Sequence, residues 1–108
     1  MARRLKLMTD YECSPLWDYG ESGDLYDNPD PASLPLSKTT IDDLKAWAAW
    51  YDTWVDMREP YDSRRVLPEE REAFKRVGRR LWESLQRELG SGWHVVYFED
   101  GKVLEPAG

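Results

Sequence analysis

Cysteine, histidine and long apolar runs are almost missing from this chain of 108 residues. Cys13 is the only cysteine, so no disulfide can form within the chain and nothing indicates an oxidising compartment. No apolar run approaches the roughly 20 residues that a membrane-spanning helix needs. The N-terminal arginines are not followed by the apolar stretch of a signal peptide. We therefore expect a cytoplasmic protein that does not bind a membrane.

The sequence motifs of common enzymes are also missing. The chain has no glycine-rich phosphate loop, no nucleophile elbow, no paired cysteines and no histidine metal motif. Cys13 and His94 would form a reactive thiolate only if the fold brought them together. The acidic residues before Pro35 do not have the spacing of a calcium loop. We expect no metal and no cofactor, and a binding protein in preference to an enzyme.

Charge narrows the class of partner. The chain has 21 acidic and 15 basic side chains, which gives a net charge of −6. This balance argues against nucleic acid, which proteins bind by neutralising phosphates, and favours a basic protein partner. One local basic cluster is interpreted as a solvated helix face: Lys75, Arg76, Arg79 and Arg80.

The stretch from Thr40 to Met57 predicts a helix that contains three of the six tryptophans. Its apolar arc spans roughly 200°, about twice that of an ordinary surface helix, so the helix should contact more than one neighbour. Ser37 is the expected N-cap, and Thr40, with Asp43 three residues later, is a competing one. Trp47 and Trp54 are predicted to be buried. The outer edge of the arc and the adjoining polar side are predicted to form a binding surface: Trp50, Met57, Asp52 and Asp56.

A second helix is predicted from Pro68, where proline and two glutamates form a typical first turn, to Leu89, before Gly90. Leucines and other apolar residues recur along it at steps of three and four. Gly78 lies within this apolar stripe, where glycine costs roughly 1 kcal/mol relative to alanine. We expect a tryptophan of the first helix to approach its bare backbone closely.

Strands are predicted at Arg3–Met8, Trp93–Phe98 and Lys102–Leu104, the last two joined by an Asp100-Gly101 turn. Residues 9–35 are predicted to form a long ordered loop with a mobile tip. Residues 1–108 then make a single α+β domain: a small antiparallel sheet, in the order β-α-α-β-β, with both helices packed on one face. Both sheet faces carry apolar residues, so the second face needs a cover from the loop or from a second copy in a homodimer.

The N-terminal segment, Lys6-Leu7-Met8-Thr9-Asp10-Tyr11-Glu12-Cys13-Ser14-Pro15-Leu16-Trp17-Asp18, is followed by Leu34-Pro35-Leu36-Ser37 and, near the end, by Val95-Val96-Tyr97. With these segments the chain resembles small uncharacterised actinobacterial proteins over most of its length. The resemblance implies a bacterial cytoplasmic setting. It brings no activity, cofactor or catalytic residue with it.

Two hypotheses about function stay open at this point. The first is a non-enzymatic protein-binding module, in one form a stoichiometric inhibitor or immunity-type protein whose acidic and aromatic surface meets a basic partner. Its candidate binding residues are Trp17, Tyr19, Trp50, Asp52, Asp56 and Met57. The alternative is a small ligand-binding domain or enzyme with a cleft between the long loop and the helices, lined by Trp17, Tyr19, Trp47 and Tyr51.

Overall fold

The computed structural model describes residues 3–54 and 66–106. Its elements are strands β1 (Arg3–Leu7), β2 (Leu16–Tyr19) and β3 (Leu25–Asp27), a short 3₁₀ helix (Pro31–Ser33), helices α1 (Lys38–Asp52) and α2 (Pro68–Leu89), and strands β4 (Trp93–Glu99) and β5 (Lys102–Leu104). Two helices pack against a five-stranded mixed sheet. The predicted α+β class is confirmed. The first helix was predicted to run to Met57, but it ends at Asp52 with Thr53 as its C-cap, so Trp54 lies beyond it. Met57 itself lies outside the described residues.

The sheet differs from the prediction in the direction of one strand pair. Its order is β3-β2-β1-β4-β5, and β1 and β4 run parallel, with Leu5 beside Val95 and Leu7 beside Tyr97. The other neighbouring strands are antiparallel, as predicted for β4 and β5. The prediction left out β2 and β3, which lie between β1 and the helices. The antiparallel direction was inferred from the number of elements between the two strands, so it does not hold once these strands are added.

The second correction concerns residues 9–35, which contain two strands where a loop was predicted. β2 pairs with β1 and places Leu16 and Asp18 on the side of the helices. Asp18 interrupts the apolar alternation that would have predicted a strand. Its carboxylate is nonetheless buried, because the Nε and Nη2 atoms of Arg3 each donate a hydrogen bond to it at 2.9 Å.

The core lies between the inner sheet face and the two helices. Its fully buried members include Leu5, Leu7 and Val95 from the sheet and Leu44 and Leu85 from the helices. A Cβ atom at Gly78 would lie 2.7 Å from Cζ2 of Trp47 and still closer to the hydroxyl of Tyr97. The predicted approach of a tryptophan to Gly78 is therefore confirmed.

The helices run antiparallel, and their ends are tied together at the N-terminus of α1. Ser37 is the N-cap, as predicted, and its hydroxyl accepts a hydrogen bond from the Thr40 N–H at 3.1 Å. From the C-terminal part of α2, Glu88 accepts a hydrogen bond from the Ser37 N–H at 2.6 Å and another from the Thr40 hydroxyl. This contact fixes the N-terminal end of α1, which directly follows the long N-terminal segment.

Candidate binding surfaces

Trp47 and Trp54 are core residues, as the sequence predicted, with exposed fractions of 2% and 9%. Trp47 stacks on Phe74 with ring centroids 4.6 Å apart and donates its indole N–H to the Phe74 carbonyl at 3.1 Å. Trp54 contacts the same ring at 4.5 Å. These two side chains hold α1 against α2, and each leaves less than a tenth of its surface exposed, too little for the centre of a protein interface.

Trp50 is half-buried and belongs to the edge of the same aromatic group. Its ring meets Phe74 and Trp54 edge-on, and its indole N–H donates to Oε2 of Glu70 at 2.7 Å. Only part of this side chain faces solvent. The neighbouring candidates Asp56 and Met57 lie outside the described residues.

Trp17 and Tyr19 lie on the outer face of the sheet, because they alternate along β2 with Leu16 and Asp18, which face the helices. The ammonium group of Lys6 stands 6.0 Å from the centroid of the Tyr19 ring. The structure therefore does not bring Trp17 and Tyr19 together with Trp50 and Asp52, which belong to the helical side. Among the described residues no helix covers the outer face, and its cover by a second copy of the chain stays a prediction.

Asp52 lies beside two acidic residues of the β1–β2 connection. Its Oδ1 atom accepts a hydrogen bond from the Glu12 N–H at 2.9 Å, and Glu12 adopts a left-handed backbone with φ of 57°. Burial raises the pKa of the nearby Tyr51 hydroxyl, and the charges of Asp10 and Asp52 raise it further. We call Asp10, Glu12 and Asp52 the acidic cluster.

The acidic cluster also surrounds the single thiol. Burial raises the pKa of Cys13, and Asp10, Asp52 and Glu12 add to the increase. Within residues 3–54 and 66–106, no basic side chain lies within ion-pair distance of these three carboxylates. Lys45 lines the same shallow pocket as Glu12 and Asp52 but contacts Asp30 instead, at 3.7 Å, so no ion pair within the part of the chain that the structure describes neutralises the cluster.

The Cys13–His94 pair that the sequence analysis considered is not formed. His94 lies beside Arg4 near the start of β1 and contacts Glu105 at 2.7 Å. Cys13 follows the other end of β1 and contacts the Tyr11 carbonyl at 3.4 Å. The described residues also contain no group of three or more His, Cys, Asp or Glu side chains that could hold a metal ion.

The basic cluster on α2 is partly neutralised within the chain. Arg79 forms a two-point contact with Glu99, with its Nη2 atom 2.6 Å from Oε2. Lys75 contacts Asp100 at 2.7 Å and Glu72 at 3.4 Å. These contacts agree with the interpretation of this cluster as a solvated helix face.

A cavity of about 190 Å³ opens at the carboxyl ends of β1 and β4, between the sheet and the helices; we call it the terminal cleft. Trp47 and Tyr51 line it, as expected for the alternative hypothesis, but Trp17 and Tyr19 do not. Two further lining residues, Arg71 and Tyr97, were not singled out as site residues from the sequence. Arg71 lies on α2 and Tyr97 on β4. The periodic patterns of these elements indicate only which residues are buried and which are exposed, so nothing in the sequence predicts that these two residues line one cleft.

Comparison with known proteins identifies the family to which this chain belongs. None of the helices that the structure describes is long and apolar enough to cross a membrane. No curated protein matches the chain. The model of one family, described as Serratia CdiI immunity protein-like, matches residues 3–100. Because the match covers β1 to β4 and both helices, the chain belongs to the Serratia CdiI immunity protein-like family and is an immunity-type protein-binding module.

Proposed function

We propose that this immunity-type protein neutralises a basic protein toxin by binding it through the acidic cluster. One observation carries the proposal: Asp10, Glu12 and Asp52 gather at one place without a basic partner among the described residues. Carboxylates that repel one another cost stability in the free protein. A partner that brings lysine or arginine to them removes this cost and gains opposite-charge contacts.

The overall charge supports the same partner class. With a net charge of −6, the protein attracts a basic molecule before contact and speeds its association, an effect that salt weakens. The single thiol, which has no disulfide partner, supports the further proposal that the protein works in the cytoplasm.

Aromatic residues beside the cluster supply apolar contact area. Tyr51 is half-buried and lies near Asp10 and Asp52. Trp50 is also half-buried, but its ring faces Phe74 and Glu70 of α2. Tyrosine and tryptophan are enriched among the residues that dominate binding energies. We place the acidic cluster and Tyr51 at the centre of the proposed site, and Trp50, on the side of α1 that faces α2, at its border. The sequence-based proposal that Asp56 and Met57 extend it concerns residues that the structure does not describe.

The proposal predicts a toxin gene beside the gene for this chain, and the test uses the toxin domain that such a gene encodes. Co-expression of the chain should restore growth that the toxin domain stops. Association of the two purified proteins should slow at least tenfold when Asp10→Lys and Asp52→Lys are combined, and its dependence on salt should flatten.

The control carries the same charge change elsewhere. Asp43→Lys combined with Glu83→Lys alters two exposed acids outside the acidic cluster. The proposal predicts a much smaller effect from this pair. Equal slowing by both pairs would show that only net charge matters, and unchanged association of the first pair would exclude the acidic cluster as the binding site.

A further inference from the structure

The terminal cleft has the position of a ligand site that neither the family nor the acidic cluster assigns. It lies at the carboxyl ends of two neighbouring parallel strands, from which the chain turns to opposite sides, β1 to β2 and β4 to β5. Concave sites lined mainly by aromatic and apolar side chains with a few polar groups are where small ligands usually bind. Its volume of about 190 Å³ is smaller than the roughly 300–1,000 Å³ of pockets for drug-sized molecules, so the occupant is small.

The walls of the cleft are aromatic. Trp47 of α1, Phe74 of α2 and Trp54, just after α1, line it on the helical side. The Phe74 ring contacts the other two rings at 4.6 and 4.5 Å, which fixes the ring planes. Aromatic faces and edges favour another ring at offset or edge-on positions. The walls therefore suit a flat ring better than a flexible aliphatic chain.

Tyr97 contributes a polar group at the inner end. Its side chain is 2% exposed, and the hydroxyl has no hydrogen-bond partner among the described residues. Every side-chain N or O atom of the described residues that is sealed from solvent, however, has a hydrogen-bond partner. The hydroxyl must therefore still reach open space, and the terminal cleft is a space that Tyr97 lines. Burial raises its pKa, so the hydroxyl stays protonated and can donate a hydrogen bond.

Arg71 contributes the charge at the mouth. It is exposed, and the centre of its guanidinium group lies 5.8 Å from the Trp54 ring. No carboxylate of the described residues lies within ion-pair distance of Arg71, whereas the other lining cation, Lys75, contacts Asp100 at 2.7 Å. A guanidinium fork matches a carboxylate with two parallel hydrogen bonds. Arg71 is thus placed to hold an anion.

We propose that the terminal cleft binds a hydroxyphenyl carboxylate, with the ring against the aromatic wall, the carboxylate on Arg71 and the ring hydroxyl on Tyr97. The same chemistry occurs in a free small acid and in the C-terminal tyrosine of a polypeptide. Tyr51 borders both the terminal cleft and the acidic cluster, but Arg71 and Tyr97 belong to the cleft alone, so this proposal stands whether or not the toxin binds the acidic cluster.

The probes are 4-hydroxyphenylacetate and an acetylated pentapeptide that ends in tyrosine, each titrated into the full chain labelled with ¹⁵N. Indole N–H signals provide the readout, because Trp47 and Trp54 line the cleft whereas Trp17 and Trp93 do not. We expect the first two signals to shift with saturation and the other two to stay in place.

Matched variants connect the shifts to the two polar groups. Arg71→Gln should weaken binding at least tenfold, while Arg76→Gln, an exposed arginine on the same helix that does not line the cleft, should leave it unchanged. Tyr97→Phe should weaken binding of 4-hydroxyphenylacetate several-fold but not that of phenylacetate, which has no ring hydroxyl. This difference between two ligands keeps the test valid even if Tyr97→Phe lowers stability.

Each outcome has a defined meaning. Binding of the free acid alone indicates a small-molecule site, and binding of the peptide alone indicates capture of a polypeptide terminus; both support the proposal. Absence of shifts with both probes overturns it. Equal effects of Arg71→Gln and Arg76→Gln, or shifts that include Trp17 and Trp93 equally, also overturn it.

Discussion

At the scale of single residues, Gly78 shows how packing reverses an intrinsic preference. Alanine in the middle of an exposed helix is more favourable than glycine by about 1 kcal/mol. At Gly78, however, the added Cβ would overlap Trp47 and the Tyr97 hydroxyl. We predict that Gly78→Ala lowers the free energy of unfolding by about 1–3 kcal/mol, the usual cost of overpacking, as measured by urea denaturation.

Two variants test the cause of this loss. Gly92→Ala adds a Cβ where nothing lies within 4 Å and should change stability little. Tyr97→Phe removes the nearest overlapping atom, so Gly78→Ala should cost less in that background than in the natural chain. An unchanged cost in both backgrounds would assign the effect to something other than the contact with the hydroxyl.

Cys13 reports on the acidic cluster without any partner. Burial and then the charges of Asp10, Asp52 and Glu12 raise its pKa, so less of the reactive thiolate is present at a given pH. We predict slower alkylation by iodoacetamide at pH 8 than for an unstructured cysteine peptide. Asp52→Asn should speed the reaction, and Asp42→Asn, in the first half of α1, should not. Equal rates for both variants would contradict the described electrostatics.

At the scale of elements, Glu88 joins α2 to the start of α1. Burial alone would raise its pKa, but hydrogen bonds from Ser37 and Thr40 hold the pKa below its ordinary value of 4.5. Its stabilising effect is therefore complete above about that pH and is lost as the pH falls through the lower folded-state pKa. We predict that Glu88→Gln costs about 1 kcal/mol at pH 7 and much less at pH 3.

Urea denaturation at the two pH values measures this difference. The comparison must be made against the natural chain at each pH, because other carboxylates also titrate in this range. Glu83→Gln, an exposed glutamate on the same helix, serves as the control. A cost for Glu88→Gln that does not change with pH would show that shape and not charge makes the contact.

Some elements were predictable because local signals and packing agree in them. α2 has a proline start, a glycine end and an apolar stripe that packs on the sheet, and β4 is rich in aromatic and β-branched residues. β2 has no such agreement, because Asp18 occupies an inward position and becomes acceptable only through Arg3, 15 residues away. A partner that distant in sequence cannot be read from local periodicity.

The same limit applies to the sites. Asp52 could be named from the sequence as an exposed acid on an aromatic helix, but its neighbours Asp10 and Glu12 come from a connection whose path depends on β2. Arg71 and Tyr97 share a cleft only because β4 returns parallel to β1. Local patterns thus identified residue types suited to binding, whereas the strand order decided which of them meet.

At the scale of the whole molecule, the sheet separates the sequence-predicted binding residues into two groups. Trp17 and Tyr19 lie on its outer face, and Trp50 and Asp52 lie on the helical side. A standard interface buries about 800 Å² on each partner, which is a patch on one side of a domain of this size. One toxin is therefore not expected to use both groups.

This separation gives a prediction that chooses between the faces. If the toxin binds the acidic cluster, Asp52→Lys should lower its affinity at least tenfold, and Tyr19→Thr, which removes a half-exposed ring from the outer face but keeps a residue that favours strands, should leave the affinity unchanged. Calorimetric titration with the toxin domain measures both. The reverse pattern would move the toxin site to the outer sheet face. The thermal stability of each variant, measured in parallel, separates a loss of contacts with the toxin from a loss of folding.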